Sequence, residues 1–212
     1  VCSSDLGAAV GGFFSEAFGR TATFVADIAS FLVAAALIAL VVRPMQAERS
    51  HEHTKRVRPL ADMREAFHVA KEDHVILALI ASKTTFAIGA GAVSQLAVFA
   101  SDVFGKGDGG RGLLLAARGL GSALGPIFAM RYARGNLARV VTVCGTAGFV
   151  FSLSYLGASV APSILVACGF IAVAHFGGGA QWTLSTYGLQ LRTTDAIRGR
   201  VLAGDMATVT LT

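Results

Sequence analysis

For 52 residues between Arg139 and Arg192 the chain carries no Asp, Glu, Lys or Arg. A charge at mid-bilayer costs at least ~2.5–3.5 kcal/mol, so a chain facing lipid must go without one. The stretch is long enough for two crossings of ~20 residues each, divided at the small-residue turn 157–163. Charge is scarce overall, at 15% of residues against 54% hydrophobic, with a mean hydropathy of +0.63. That balance argues against a water-soluble core. Cysteine is scarce too: Cys2, Cys144 and Cys168 show no paired spacing, so neither a disulfide framework nor a metal centre is indicated. The net charge of +5 does not point to nucleic acid, because the basic residues sit between apolar runs with few aromatics among them. No Gly-x-x-x-x-Gly-Lys-Ser/Thr loop is present, which removes ATP hydrolysis on this chain as an energy source. No cofactor is implied.

What is present is a series of apolar runs. Residues 7–18 read as the last part of one crossing, closed at Gly19 and Arg20. Residues 21–42, 75–100, 112–130, 140–156 and 163–191 read as five complete ones, and 201–212 opens another. The expected fold is all-α, a polytopic transmembrane helix bundle with the lipid bilayer as its solvent. Basic residues alternate between loops. The connections at 43–73, 131–139 and 192–200 hold seven, three and three Lys/Arg, whereas the opposite loops hold only Arg20, Lys106 and Arg111. By the positive-inside rule the first set faces the cytoplasm, which predicts a multi-pass protein of the cytoplasmic (inner) membrane.

The loop 43–73 is the one long polar connection, with seven basic and six acidic residues. Pro59 is suited to open a short helix in which Leu60, Met63, Phe67 and Ala70 form one apolar stripe. His51, Glu52 and His53 offer too few ligands for a metal. Residues 1–6 resemble a translated sequencing adapter and are set aside. The domains expected are then 7–42, the end of a first bundle; 43–73, the inter-bundle loop; and 74–212, an incomplete second bundle. The helices that would complete both bundles are expected on the same, longer chain.

Several segments resemble the major facilitator superfamily, specifically bacterial multidrug or siderophore exporters. Gly7-Ala-Ala-Val-Gly-Gly12 with Phe18-Gly-Arg20 is similar to the end of that family's fifth helix. Thr23-Phe-Val-Ala-Asp-Ile-Ala-Ser-Phe31 is similar to its sixth, and 43–73 to the loop between its halves. Leu96-Ala-Val-Phe-Ala100 and Leu114-Leu-Ala-Ala-Arg-Gly-Leu-Gly121 resemble the end of the seventh helix and the start of the eighth. Thr194-Asp-Ala-Ile-Arg-Gly-Arg-Val201 resembles the turn between the tenth and eleventh. Met130-Arg-Tyr-Ala-Arg-Gly-Asn136 is a degraded echo of the family's Gly- and basic-rich turn. The resemblance implies a partial two-bundle fold and a secondary transporter of a small molecule, expected to export it in exchange for a proton. It also implies that the helices holding Lys83 and His175 line a central cavity.

Ionisable residues inside spans are functional candidates by default. Lys83 and Ser94, eleven positions apart, fall within about 20° on a helix and form a polar stripe that can bind an anion or answer a carboxylate on an absent helix. The alternative for Lys83 is snorkelling to a nearby cytoplasmic interface. His175, Trp182 and Thr186 share a second face, where an imidazole can couple a proton; a neutral histidine bonded to a neighbouring helix is the alternative. Gln181 lies on another face, positioned for substrate. Asp27 and Arg118, near external ends, are candidates for an external gate or for interfacial charges. Asp195, Arg198, Gly199 and Arg200 are candidates for a cytoplasmic latch, the alternative being solvated positive-inside charge. Gly121 and Gly125 have the Gly-x-x-x-Gly spacing of close helix approach, Pro126 removes a helical donor, and Gly177, Gly178 and Gly179 are expected to loosen their helix or to pack it.

Two other readings compete. Ser122 beside glycine and His175 two spans later loosely mimic the pair of a rhomboid-type intramembrane serine protease, although Ser122 is followed by Ala rather than Gly and no oxyanion cluster precedes it. A non-transporting membrane scaffold is the third reading, with no specific residue in its favour.

Overall fold

The computed structural model describes residues 2–41 and 59–211, and among these the secondary structure is helical with no strand. The residues separate into two units, Val10–Arg58 and Val1–Ala9 with Pro59–Thr212. The His51–His53 segment and the first part of the expected loop lie outside the described residues.

Helix α1 (Cys2–Ala39) is two helices joined at Gly19, whose φ of 84° and ψ of 162° interrupt the helical backbone. Only glycine adopts that conformation without a steric cost, so the boundary expected at Gly19–Arg20 has a backbone cause. Beyond it, Thr21–Ala39 is long and apolar enough to cross a membrane. Its large side chains, among them Phe24, Leu32 and Ile38, are exposed, and a helix apolar on all faces needs lipid or other helices around it.

In the larger unit, Val1–Ala9 is followed by α2 (Pro59–Glu72). The short helix opening at Pro59 is therefore present and packs on α3 and α8. Ala70 is buried in that contact, whereas Phe67 is exposed with the Lys71 ammonium 5.0 Å from its ring centroid. The apolar stripe is thus only partly turned inward. Asp73 caps α3 (His74–Ser94) by accepting from the backbone N–H of Val75 and Ile76.

The expected crossing at 75–100 is not one straight helix. It stops at Ser94 and continues through α4 (Leu96–Val98) and a π-helical turn, Phe99–Val103. At the break the Ser94 hydroxyl donates to the Gly91 carbonyl at 2.7 Å and the Gln95 backbone N–H turns back to Ala92 and Val93. Helices α5 (Gly107–Ala133), α6 (Leu137–Ser159) and α7 (Ile164–Arg192) follow, then α8 (Asp195–Leu211). Among the described residues, the first three of these and Thr21–Ala39 are four helices long and apolar enough to span a bilayer.

Helix α7 is the hub, packed along α5 and α6 and against α3. Glycines set its spacing. A Cβ on Gly121 would lie 2.2 Å from the Ala172 carbonyl oxygen, and one on Gly125 would lie 2.1 Å from that of Phe176. Gly179 returns the contact on Ser122, while Gly177 faces Ala147 and Val150 on α6. Gly178 is buried in the same turn. Both α5, with Pro126 inside it, and α7 run as single helices through these positions.

Candidate functional site

Lys83 and Asp205 form an ion pair with each side chain only 1% exposed. Lys83 comes from α3 and Asp205 from α8. Their depths match: Lys83 is nine residues from the start of α3 and Asp205 ten from that of α8, or about 14–15 Å at 1.5 Å per residue. That is about half the thickness of a hydrocarbon core. Lys83 therefore does not snorkel, and its carboxylate lies on this chain rather than on an absent helix.

Two residues of α7 complete the setting. The Lys83 ammonium donates to Thr186 Oγ1 at 2.9 Å and sits 4.9 Å from the Trp182 ring centroid. Thr186 in turn donates to the Trp182 carbonyl oxygen at 3.1 Å. Immediately before Trp182, Gln181 Nε2 donates to the Ser82 carbonyl oxygen, and the Cys144 thiol of α6 reaches the Gln181 carbonyl oxygen at 3.8 Å. Four helices thus converge on one charged pair. Among the described residues, the buried acceptors Asp205 Oδ1 and Gln181 Oε1 have no hydrogen-bond partner. Removing either charge would strand the other in a low-dielectric interior.

The other candidates lie elsewhere. Ser94 is exposed and eleven residues past Lys83, about 16 Å along the axis, so it is not part of this site; equal helical azimuth does not make equal depth. His175 is buried two turns before Trp182, with its Nε2 2.8 Å from the Tyr155 hydroxyl and its ring edge-on to Phe151. Arg118 is half-buried on α5, close enough for its charge to act on both Tyr155 and His175. Asp27 is exposed on α1. Ser122 is buried where α5 meets Gly179.

At the basic end of the larger unit, Arg198 bonds locally to Asp195 at 2.5 Å and to the Thr193 carbonyl oxygen at 3.0 Å. Gly199 faces open space. Arg200 reaches across to Glu65 on α2, and Arg192 bonds Asp73 at 2.6 Å. Burial pushes the Asp73 carboxyl up, but the Arg192 bond, the Val75 and Ile76 N–H groups and the Arg192 charge together hold it below its ordinary 3.8. The Arg192 and Glu65 partnerships were missing from the sequence-based candidates, as was Asp205. Equal counting from two helix starts would have flagged Asp205 opposite Lys83.

The profile of the Major Facilitator Superfamily matches residues 3–211. The chain belongs to that superfamily. Its members are membrane transporters rather than enzymes in general. No curated protein and no solved structure matches the chain.

Proposed function

We propose that this chain is part of a secondary active transporter that exports a small molecule in exchange for protons, acting with further helices of a longer chain. It would sit in the cytoplasmic membrane with residues 43–73 on the cytoplasmic side, following the distribution of Lys and Arg. The observation that carries the reading is the buried Lys83–Asp205 pair joining α3 to α8 across α7. Buried ionisable pairs in a bundle mark ion and substrate paths. His175 bonds Tyr155 and lies two turns away, so it is assigned a structural place beside the path. Alternating access would then alter the distance between α3 and α8 while the tightly packed α5–α7 pair moves as one body.

The test uses everted vesicles carrying the full-length protein, energised to an acid interior and reporting the gradient by acridine-orange fluorescence. A panel of amphipathic compounds should contain some that dissipate the gradient in wild type and not in the double variant Lys83→Met/Asp205→Asn. Dissipation that is independent of the pair, or absent for every compound, refutes the proposal.

A further inference from the structure

A feature of the pair distinguishes what it can carry. The Lys83 ammonium is satisfied: it has Asp205 Oδ2, Thr186 Oγ1 and the face of Trp182. Around the pair, among the described residues, the buried side-chain atoms without a hydrogen-bond partner are both acceptors, Asp205 Oδ1 and Gln181 Oε1, on residues that are each 1% exposed. A ligand drawn to this place must therefore bring donors. Carboxylate, hydroxyl and indole face are also the three groups that together hold an alkylammonium, and here they already hold one, at the end of a lysine side chain.

We infer that the Lys83 ammonium is an internal stand-in for the substrate, that the substrate is a monovalent organic ammonium with an aromatic or apolar body, and that Lys83 carries the exchanged proton. The inference rests on the transporter reading above and deepens it. A second cation cannot join a neutral pair in a dry interior without an uncompensated charge. Neutrality is kept if Lys83 loses its proton as the substrate arrives. The ion pair of protonated Lys83 with the Asp205 carboxylate, plus a substrate ammonium, becomes neutral Lys83, the substrate ammonium on the Asp205 carboxylate, and one proton released to the aqueous side then open. Reversing the step on the other side takes up a proton and expels the substrate. Exchange of one cation for one proton follows, with no net charge moved. An anionic substrate would give the opposite sign: it would bind Lys83 only once Asp205 was protonated, and so travel with the proton.

The groups around Lys83 fit this assignment. Asp205 faces it from α8, and the Cys144 thiol of α6 is within reach of its charge. Helix α7 presents Thr186 and Trp182, with His175 two turns further on. Trp182 and Thr186 are partly exposed while Lys83 and Asp205 are not, so a ligand meets the indole and hydroxyl before it meets the charges.

The experiment compares phenethylammonium with phenylacetate, similar in size and opposite in charge, by calorimetry on the purified full-length protein. Runs in two buffers of different ionisation enthalpy give the number of protons released. Wild type should bind phenethylammonium with release of about one proton per ligand, as a neutral site requires, and should not bind phenylacetate. Lys83→Met should bind the cation about tenfold more tightly, since no competitor remains, and release no proton. Lys83→Arg, which cannot deprotonate, should lose cation binding. The charge-neutral Lys83→Met/Asp205→Asn variant should elute as wild type does from a sizing column and bind neither ligand. Phenylacetate binding with proton uptake overturns the cation assignment and leaves a proton-coupled carrier standing. Proton release that persists in Lys83→Met, or binding of neither ligand to wild type, also overturns it, and the vesicle assay decides the transporter reading separately.

Discussion

Replacing Lys83 alone, Asp205 alone and both together measures how strongly the pair holds α3 to α8. Both side chains are 1% exposed, so each single change leaves an uncompensated charge at mid-depth, which costs about 3–5 kcal/mol. Lys83→Met also removes the donor to Thr186 and the cation over Trp182. For a chain of this size 1 kcal/mol shifts the melting point by about 2–4 °C, so each single variant should melt roughly 6–20 °C lower. The double variant Lys83→Met/Asp205→Asn leaves no buried charge and should recover to within about 1–2 kcal/mol of wild type. Trp182 is the single tryptophan in these 212 residues and lies against the Lys83 ammonium, so in a background free of other tryptophans its emission reports both pair and melting. If the double variant melts at the sum of the two single losses, the residues are not coupled and the site as described is wrong.

Other outcomes follow from the packing and from the basic end. Gly125→Ala should destabilise by about 1–3 kcal/mol, because its Cβ would meet the Phe176 carbonyl at 2.1 Å, whereas Gly145→Ala, with open space around it, should not; thermal melting of the two variants decides. Asp73→Ala should cost about 1 kcal/mol by uncapping α3, read as faster hydrogen exchange at Val75 and Ile76. Because the Asp73 carboxyl is held below its ordinary 3.8, its contribution is present above about pH 4 and is lost as pH falls through the folded value; exchange at those amides that stays constant on acidification would contradict this. Arg198→Ala should impair transport in the full-length protein without lowering its membrane level, and a proportional loss of both would instead mean a folding role. His175→Gln should leave dependence on the pH gradient intact, whereas its loss would move the coupling from Lys83 to His175.

How much of this was legible depended on whether a feature is local. Apolar runs and charge alternation are local, so α1 and α5 to α7 could be bounded from the sequence within a few residues. The break at Gln95 was not, because Ser94 and Gln95 are tolerated inside membrane helices and neither residue type marks a stop. Arg192–Asp73 and Arg200–Glu65 join residues more than a hundred positions apart, and composition fits solvated charge equally well. Lys83 was identifiable because burying it demands a partner. Asp205 was overlooked in a segment read as an apolar beginning, although burial of one charge near mid-depth is a strong demand for another at the same depth. Counting from His74 to Lys83 gives nine residues and from Asp195 to Asp205 ten, so two helices starting at the same end bring the charges nearly level. Helical rise thus supplies depth where hydropathy supplies only boundaries, and applying it to every lone intramembrane charge turns an isolated candidate into a pair that mutation can break and restore.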